Sequence, residues 1–223
     1  MYRVHEIFFT LQGEGAHSGI PAVFVRFSGC NLRCPWCDTD FAGYREMSAD
    51  GIVAEAQELY DVPNERRKMC VLTGGEPSLQ VDKGLLDALH EAGFYICIET
   101  NGTRPLPEGI DWVTCSPKLV ESREGPTDTP VHARKPALLA LRRVNEVKVV
   151  FTGTYDPEIW RSQLEAEHWL LQPLHYTGEW LMQSGIDEWE DDRNDNLPET
   201  VRYILAHPFW RLSVQLHKIA EIR

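Results

Sequence analysis

The sequence predicts an α/β protein that folds as a partial, open βα barrel with about six parallel strands. Strand-like and helix-like segments alternate along the chain, which is typical of βα units joined by right-handed crossovers. Residues 69–73 form a short apolar run of the kind that a parallel sheet buries on both faces. About six such units are too few to close a barrel, which requires eight.

Each element is predicted from apolar spacing and from the residues at its ends. Ser48 is a suitable N-cap for the first helix, and Gly93 suits the left-handed residue that ends the second. Pro198 suits the first turn of the last helix. The predicted strands cover residues 21–27, 69–73, 94–99, 112–116, 144–151, 169–172 and 209–216. The predicted helices cover residues 49–60, 83–92, 137–142, 157–166 and 198–206.

Composition favours one cytoplasmic domain over residues 1–223. Hydrophobic residues make up 43% of the 223 residues, which is enough for a substantial core. The N-terminus lacks the apolar segment of a signal peptide, and no apolar run reaches the length of a membrane span. The net charge of -12 disfavours a nucleic-acid partner, because it would repel a phosphate backbone.

Two polar segments are predicted as connections. Residues 187–195 are rich in Asp and Glu and are predicted to form a solvated loop, with a docking surface for a basic partner as the alternative. Residues 122–136 form a polar connection that contains prolines. The longer stretch 178–196, which contains the acidic run, and the connection 122–136 are candidates to cover a substrate pocket or to contact a second subunit.

Three cysteines in one short loop indicate a metal centre. Cys30, Cys34 and Cys37 have the spacing C-x3-C-x2-C, and Pro35 helps their thiolates to converge. Thiolate sulfur is the ligand that iron-sulfur clusters and zinc prefer. Three ligands leave either a distant fourth ligand, as in a structural zinc site, or an open position on the metal.

The cysteine spacing, with Trp36 just before the third cysteine, resembles the cluster loop of radical S-adenosylmethionine (SAM) enzymes. The resemblance implies that Cys30, Cys34 and Cys37 hold a 4Fe-4S cluster whose fourth iron binds SAM. It also implies that the reduced cluster cleaves SAM to methionine and a 5'-deoxyadenosyl radical, and that the fold is a partial barrel, which the small number of predicted helices indicates is a trimmed version. Gly75 and Glu76, directly after a predicted strand, resemble the motif that receives the SAM amino group.

Two later strand ends resemble the remaining SAM contacts of that superfamily. Ser116, Pro117 and Lys118 would hold the ribose or carboxylate of SAM, and residues 172–175 would close on its adenine. Without the resemblance, both segments would be interpreted as ordinary strand exits.

Polar residues before the cysteines suit a small heterocyclic acid. Gln12 and Glu14, in a glycine-spaced loop, can pair with the edge of a flat nitrogen heterocycle. Arg26 shares a strand face with Phe24 and Ser28, so its guanidinium is predicted to point inward and bind a carboxylate. The alternative for Arg26 is an exposed surface charge.

These motifs together resemble the 7-carboxy-7-deazaguanine synthases, a radical SAM family of deazapurine and queuosine biosynthesis, over nearly the whole chain. The resemblance implies conversion of 6-carboxy-5,6,7,8-tetrahydropterin to 7-carboxy-7-deazaguanine with loss of ammonia. It implies Thr39 as a Mg²⁺ ligand, and it leaves Glu14 and Glu99 without a role. The substrate contacts that it implies are Leu11, Gln12, Gly13, Arg26 and Thr73. The SAM contacts that it implies are Gly75, Glu76, Ser116, Pro117, Lys118, Gln172, Pro173, Leu174 and His175.

Two other functions remain as alternatives: a radical SAM activase that acts on a glycine of another protein, and a structural zinc module without catalytic activity. The family resemblance further implies a homodimer and an electron donor such as flavodoxin or ferredoxin, while the net charge and the lack of a long apolar run predict neither nucleic acid nor membrane as a partner. Cys70 and Cys97 lie in apolar strands and are predicted to be core thiols.

Overall fold

The computed structural model describes residues 1–34, 36–37, 39–40, 43–61, 67–120, 135–175 and 196–222. The strands are β1 (Tyr2–Leu11), β2 (Pro21–Phe27), β3 (Arg45–Met47), β4 (Lys68–Gly74), β5 (Phe94–Thr100), β6 (Trp112–Cys115), β7 (Leu119–Val120), β8 (Lys135–Pro136), β9 (Glu146–Phe151), β10 (His168–Pro173) and β11 (Arg211–Leu212). The helices are α1 (Ala49–Leu59), α2 (Lys83–Glu91), α3 (Leu197–Ala206) and α4 (Leu216–Ala220). Short 3-10 helices cover Pro77–Leu79 and Pro157–Trp160.

The main sheet of the described residues has nine strands in the order β11-β10-β9-β6-β5-β4-β2-β1-β3. All pairings from β2 to β11 are parallel, whereas β1 runs antiparallel to both β2 and β3. Because β3 and β11 stand at opposite edges of this sheet, the barrel is open. The predicted fold class is confirmed, and each of the predicted strands has a counterpart among the parallel strands of this sheet.

The helices α1 and α2 cover the convex side of the sheet and bury its apolar residues. Ser48 caps α1 as predicted, accepting a hydrogen bond from the Gly51 amide at 3.1 Å. Asp82 caps α2 in the same way through the Leu85 amide at 3.0 Å. The residues 69–73 predicted to be buried on both faces are buried in β4, and Cys70 and Cys97 are core thiols as predicted. Burial raises the pKa of the Cys70 thiol to about 12.

The loop between β1 and β2 folds back into the concave side of the sheet. Its ends pair through the Gln12 amide and the Ile20 carbonyl at 2.8 Å. Its middle is held by the Ala16 amide, which donates to the Glu146 carboxylate of β9 at 2.7 Å. This loop therefore forms a floor beneath the carboxyl ends of the parallel strands.

The helix predicted over residues 137–142 is wrong. Ala137 and Leu139 are buried while Leu138 is 87% exposed, so burial alternates with the period of an extended chain and not with that of a helix. The Ala140 amide donates to the Gly102 carbonyl at 2.9 Å, which ties this segment to the residues after β5. An apolar run of five residues is too short to separate the two periods by composition alone.

Three further boundaries differ from the prediction. The helix expected over 157–166 is only the 3-10 turn Pro157–Trp160 followed by turns. The strand expected over 209–216 is only Arg211–Leu212, because the chain turns after it toward the β1–β2 loop. β1 was not predicted. The acidic run 187–195 and most of the connection 122–136 lie outside the described residues.

Among the described helices, none has the length and apolarity of a membrane span.

Candidate active site

A cleft of about 810 Å³ opens on the concave side of the sheet, at the carboxyl ends of the parallel strands. It is lined by residues of every predicted motif: the β1–β2 loop, the cysteine loop, the glycine pair after β4, and the exits of β6 and β10. Every predicted site residue except Pro117 lines this cleft, and Pro117 is buried beside it. The topology thus brings the separate motifs into one site.

The cysteine loop forms one wall of the cleft, where β2 ends. Cys30, Cys34 and Cys37 line the cleft and form no disulfide. The Leu32 amide donates to Cys30 Sγ at 3.4 Å, the kind of N–H contact that stabilises a thiolate ligand. Trp36 is buried and packs with Leu174 beyond β10. Trp36 therefore anchors the cysteine loop to the opposite wall, and three cysteine thiols on one loop are the donor set of a 4Fe-4S cluster with an open iron.

Gly74 and Gly75 allow β4 to approach the strand that enters the cysteine loop. A Cβ atom on Gly75 would lie 2.2 Å from the Gly29 carbonyl oxygen, and Gly74 has φ +129°. The Gly75 amide donates to the Phe27 carbonyl at 3.0 Å. The glycine pair is thus required by close backbone packing, which fixes the cysteine loop against β4.

Replacing Gly75 with alanine is expected to lower the free energy of unfolding by about 1–3 kcal/mol, because the added methyl overlaps backbone that cannot move away. It should also reduce cluster retention, since the displaced backbone leads into Cys30. Denaturant unfolding and iron analysis measure both effects. Gly84→Ala is the matched control, because a Cβ there meets only Asp82 Oδ1, at 3.4 Å. Equal behaviour of the two variants would contradict the packing role of Gly75.

Most acceptor positions of the Glu76 carboxylate are used by hydrogen bonds from the chain itself. It accepts hydrogen bonds from Thr100 Oγ1 at 2.6 Å, the Asn101 amide at 2.8 Å and the Ser78 amide at 3.0 Å. Glu76 is only 1% exposed. Three of roughly four acceptor positions of a carboxylate are therefore used to join the exits of β4 and β5. The side chain thus orders this wall of the cleft.

The exits of β6 and β10 face the cysteine loop across the cleft. Lys118 Nζ donates to Ser116 Oγ at 2.5 Å. The Leu174 amide, after β10, donates to Asn196 Oδ1 at 2.7 Å. Gln172 is 6% exposed, and its Oε1 atom is buried without a hydrogen-bond partner among the described residues. A buried carbonyl oxygen without a donor is costly, so this atom fits a ligand that supplies an N–H or O–H group.

Acidic and amide side chains form the polar floor of the cleft. Gln12 Nε2 donates to Glu99 Oε1 at 3.0 Å, and Thr73 Oγ1 donates to Glu99 Oε2 at 3.4 Å. Glu14 accepts a hydrogen bond from Gln215 Nε2 at 2.8 Å. Both carboxylates line the cleft, which gives Glu14 and Glu99 a location that the sequence could not assign.

Arg26 points into the cleft, as its strand face predicted. Its Nε donates to Glu6 Oε1 at 2.8 Å, and its guanidinium lies 5.7 Å from the centre of the Phe8 ring. Glu6 and Arg26 are direct partners in the register of β1 and β2. The carboxylate and the ring therefore fix the direction of the guanidinium.

The C-terminal segment closes one side of the floor. Ser213 Oγ accepts from the Gly15 amide at 3.0 Å, and the Leu216 amide donates to the Gly13 carbonyl at 2.9 Å. A Cβ atom on Gly13 would lie 2.8 Å from His217 Nδ1. The glycine at position 13 is therefore needed for the first turn of α4 to pack on the β1–β2 loop.

Sequence reasoning missed Glu6, Lys148 and Ser213. Glu6 could have been found from the alternation of β1, because an antiparallel neighbour places it opposite Arg26. Lys148 gave a clear signal, since it is a lone lysine inside a predicted apolar strand. Ser213 gave none, because its contact with Gly15 joins the two ends of the chain.

Comparisons with known proteins identify the relatives of this chain. The family model described as the radical SAM superfamily matches residues 24–154. A 7-carboxy-7-deazaguanine synthase of Bacteroides thetaiotaomicron is 45% identical over 223 residues, and the alignment covers 100% of each chain. One of Burkholderia multivorans is 40% identical, with 99% of each chain covered. The crystal structure of QueE from Escherichia coli matches 97% of this chain and 94% of its own, with a TM-score of 0.66 and 26% identity.

Proposed function

The chain belongs to the radical SAM superfamily and, within it, to the 7-carboxy-7-deazaguanine synthases, and on that basis we propose that it converts 6-carboxy-5,6,7,8-tetrahydropterin to 7-carboxy-7-deazaguanine with release of ammonia. The observation that carries the proposal is the meeting in one cleft of a three-cysteine loop, a fixed arginine and an acidic floor. A structural zinc site does not require a cleft lined by side chains that can bind a small molecule.

We propose that Cys30, Cys34 and Cys37 hold the 4Fe-4S cluster and that SAM lies across the cleft from it. When bound, the cluster and SAM supply the radical that abstracts a hydrogen atom from the substrate. Packing supports this arrangement, because Trp36 ties the cysteine loop to the β10 exit. Gln172 Oε1 then accepts a hydrogen bond from SAM, and Ser116 with Lys118 contacts its polar groups. The remaining SAM contacts are Gly75, Glu76, Pro117, Pro173, Leu174 and His175.

We propose that the floor of the cleft binds the pterin edge. A pterin presents N–H donors on its pyrimidine ring. An ionised carboxylate has acceptor oxygens and no donor, so it is complementary to that edge. Glu14 and Glu99 are two such acceptors, and Gln12 joins them. Leu11, Gly13 and Thr73 line the same floor and complete the substrate contacts.

We propose that Arg26 binds the substrate carboxylate. It is the cleft-lining cation of β2, and its direction is already fixed by Glu6. A guanidinium held in place loses little conformational freedom when it forms two parallel hydrogen bonds to a carboxylate.

We also propose Thr39 as a Mg²⁺ ligand. Thr39 lines the cleft two residues beyond Cys37. Its hydroxyl oxygen is a hard donor of the kind that Mg²⁺ accepts together with waters and a substrate carboxylate. The donor chemistry therefore fits a cation that helps to hold the substrate acid beside the cluster loop.

Thr39→Val is expected to raise the Mg²⁺ concentration that half-saturates turnover by about 10- to 100-fold, because the hydroxyl ligand is lost. SAM binding should be unchanged. Turnover measured across a Mg²⁺ series gives the value, and Thr39→Ser serves as the control that keeps the hydroxyl. A normal Mg²⁺ requirement in the valine variant would remove Thr39 from the metal site.

The partners that we propose are a second copy of the chain and a small electron donor such as flavodoxin or ferredoxin, with no nucleic acid and no membrane. Cys37 is exposed, so the cluster would lie near the surface where an electron donor must approach. The net charge of -12 supports the exclusion of nucleic acid. An oxygen-sensitive cluster with thiolate ligands suits the reducing cytoplasm.

The reaction is tested by anaerobic incubation of the reconstituted protein with reductant, SAM, Mg²⁺ and the carboxytetrahydropterin. Mass spectrometry is expected to detect 7-carboxy-7-deazaguanine, and an ammonia assay should give an equal amount of ammonia. SAM cleavage without the contracted product would contradict the proposed substrate and leave the superfamily chemistry intact. The same assay separates this function from a glycyl-radical activase, which would modify another protein.

A further inference from the structure

Lys148 is a buried lysine in the middle of the acidic floor. It belongs to β9 and is 5% exposed. Its ammonium forms a close ion pair with the Glu14 carboxylate and lies 3.9 Å from Glu99 Oε1. An ammonium is almost never fully buried unless it is paired, so the carboxylates explain its presence there.

Three elements contribute carboxylates around this one cation. Glu14 comes from the β1–β2 loop, Glu99 from β5, and Glu146 from β9 itself. On β10, His168 interacts electrostatically with Glu146. The neighbouring β6 contributes the uncharged Thr114, which donates to Glu146 at 3.4 Å.

Burial alone would lower the pKa of Lys148, but Glu14, Glu99 and Glu146 raise it above its ordinary value. The ammonium is therefore charged throughout the neutral pH range. Burial raises the pKa of Glu146, which is held by the Ala16 amide and faces away from open solvent. Glu14 and Glu99 are thus the two carboxylates of the set that are available to the cleft.

We propose that Lys148 is a positioning residue that keeps Glu14 and Glu99 both ionised and aimed at the donor edge of the substrate. This inference rests on the proposed binding of the pterin edge by those two carboxylates. Two carboxylates that share a site without a cation do not both remain ionised at neutral pH. The one that takes the shared proton loses an acceptor that the N–H edge requires.

Lys148→Met tests the role in the cluster-loaded protein, with substrate affinity measured anaerobically in the absence of reductant so that no turnover occurs. We expect the dissociation constant of the carboxytetrahydropterin to rise by about 10- to 100-fold, as for the loss of a charge-assisted hydrogen bond. SAM binding should be unchanged, because Lys148 lies on the floor and the SAM contacts lie on the walls. Lys83→Met, at an exposed position in the first turn of α2, is the matched control for the same substitution.

The pH dependence distinguishes this role from a merely structural one. Without the cation, repulsion between the two carboxylates, both of which lie beside Lys148 Nζ, favours proton uptake by one of them, so its acceptor is present at higher pH and lost at lower pH. Affinity of the methionine variant should therefore improve as pH rises through the neutral range, while that of the unaltered protein stays flat. Lys148→Arg, which keeps the charge, should restore the flat profile, and the double variant K148M/E14Q should also lack the pH dependence.

The outcomes separate this inference from the proposed function. If the unaltered protein does not bind the pterin, the proposed function fails. If it binds and turns over the pterin but Lys148→Met has the same affinity and a flat pH profile, only the role of Lys148 fails. A weakened affinity that is independent of pH, or that Lys148→Arg does not restore, also overturns it. Should the methionine variant not retain its cluster, Lys148→Gln is judged by the same two measurements.

Discussion

Replacing Arg26 with alanine is expected to lower kcat/KM for the carboxytetrahydropterin by about 100-fold or more, which corresponds to the loss of two charge-assisted hydrogen bonds. The guanidinium lies on the floor side of the cleft, oriented by Glu6 and the Phe8 ring. SAM binding should be largely intact, because the proposed SAM contacts lie on the walls. Steady-state turnover and anaerobic SAM titration measure the two effects.

Two variants refine this result. Arg26→Lys keeps the charge and loses the planar fork, so it should recover only part of the activity. Glu6→Gln keeps a similar shape and weakens the pairing that directs the guanidinium, so it should have a smaller effect than Arg26→Ala. Equal loss of SAM binding and substrate use in Arg26→Ala would remove this residue from the substrate site.

Replacing Cys34 with alanine is expected to reduce product formation below detection, because two thiolates do not retain a 4Fe-4S cluster with a defined open iron. The variant should lose most of its iron and its brown colour after anaerobic reconstitution. Iron analysis and the visible absorbance spectrum measure this loss directly.

Cys70→Ala is the matched control for Cys34→Ala. Cys70 is fully buried in β4 and lies in the core on the convex side of the sheet. Its loss should cost some stability through a small cavity and leave cluster content and SAM binding unchanged. A Cys34→Ala protein that still forms a SAM-responsive cluster would show that this thiol is not a ligand.

The fold could be predicted where local pattern and tertiary packing agree. The apolar run of β4 and the capped helix α1 are local signals, and their alternation sufficed to predict an open parallel barrel. In the segment 137–142, the conformation is set by tertiary packing, because contacts with the residues after β5 hold the chain extended. The same holds for β1, whose charged and polar residues conceal a strand until its antiparallel partner β2 is known.

The candidate site could be predicted where its residues follow strand ends. The cysteine loop, the glycine pair and the exits of β6 and β10 meet because parallel strands end at one edge of the sheet. The pairing of Lys148 with Glu14 could not be predicted, because these residues are 134 positions apart and meet only when the β1–β2 loop folds inward. The hydrogen bonds that hold Glu76 likewise could not be predicted, because their donors lie at the exit of β5.

Binding of SAM to an open iron in the three-cysteine loop is tested most directly by electron paramagnetic resonance of the reduced, reconstituted protein with and without SAM. We expect the signal of a reduced 4Fe-4S cluster that changes when SAM is added, since the amino and carboxylate groups would ligate the fourth iron. Zinc in place of iron, or a cluster signal that SAM does not alter, would contradict the proposed catalyst.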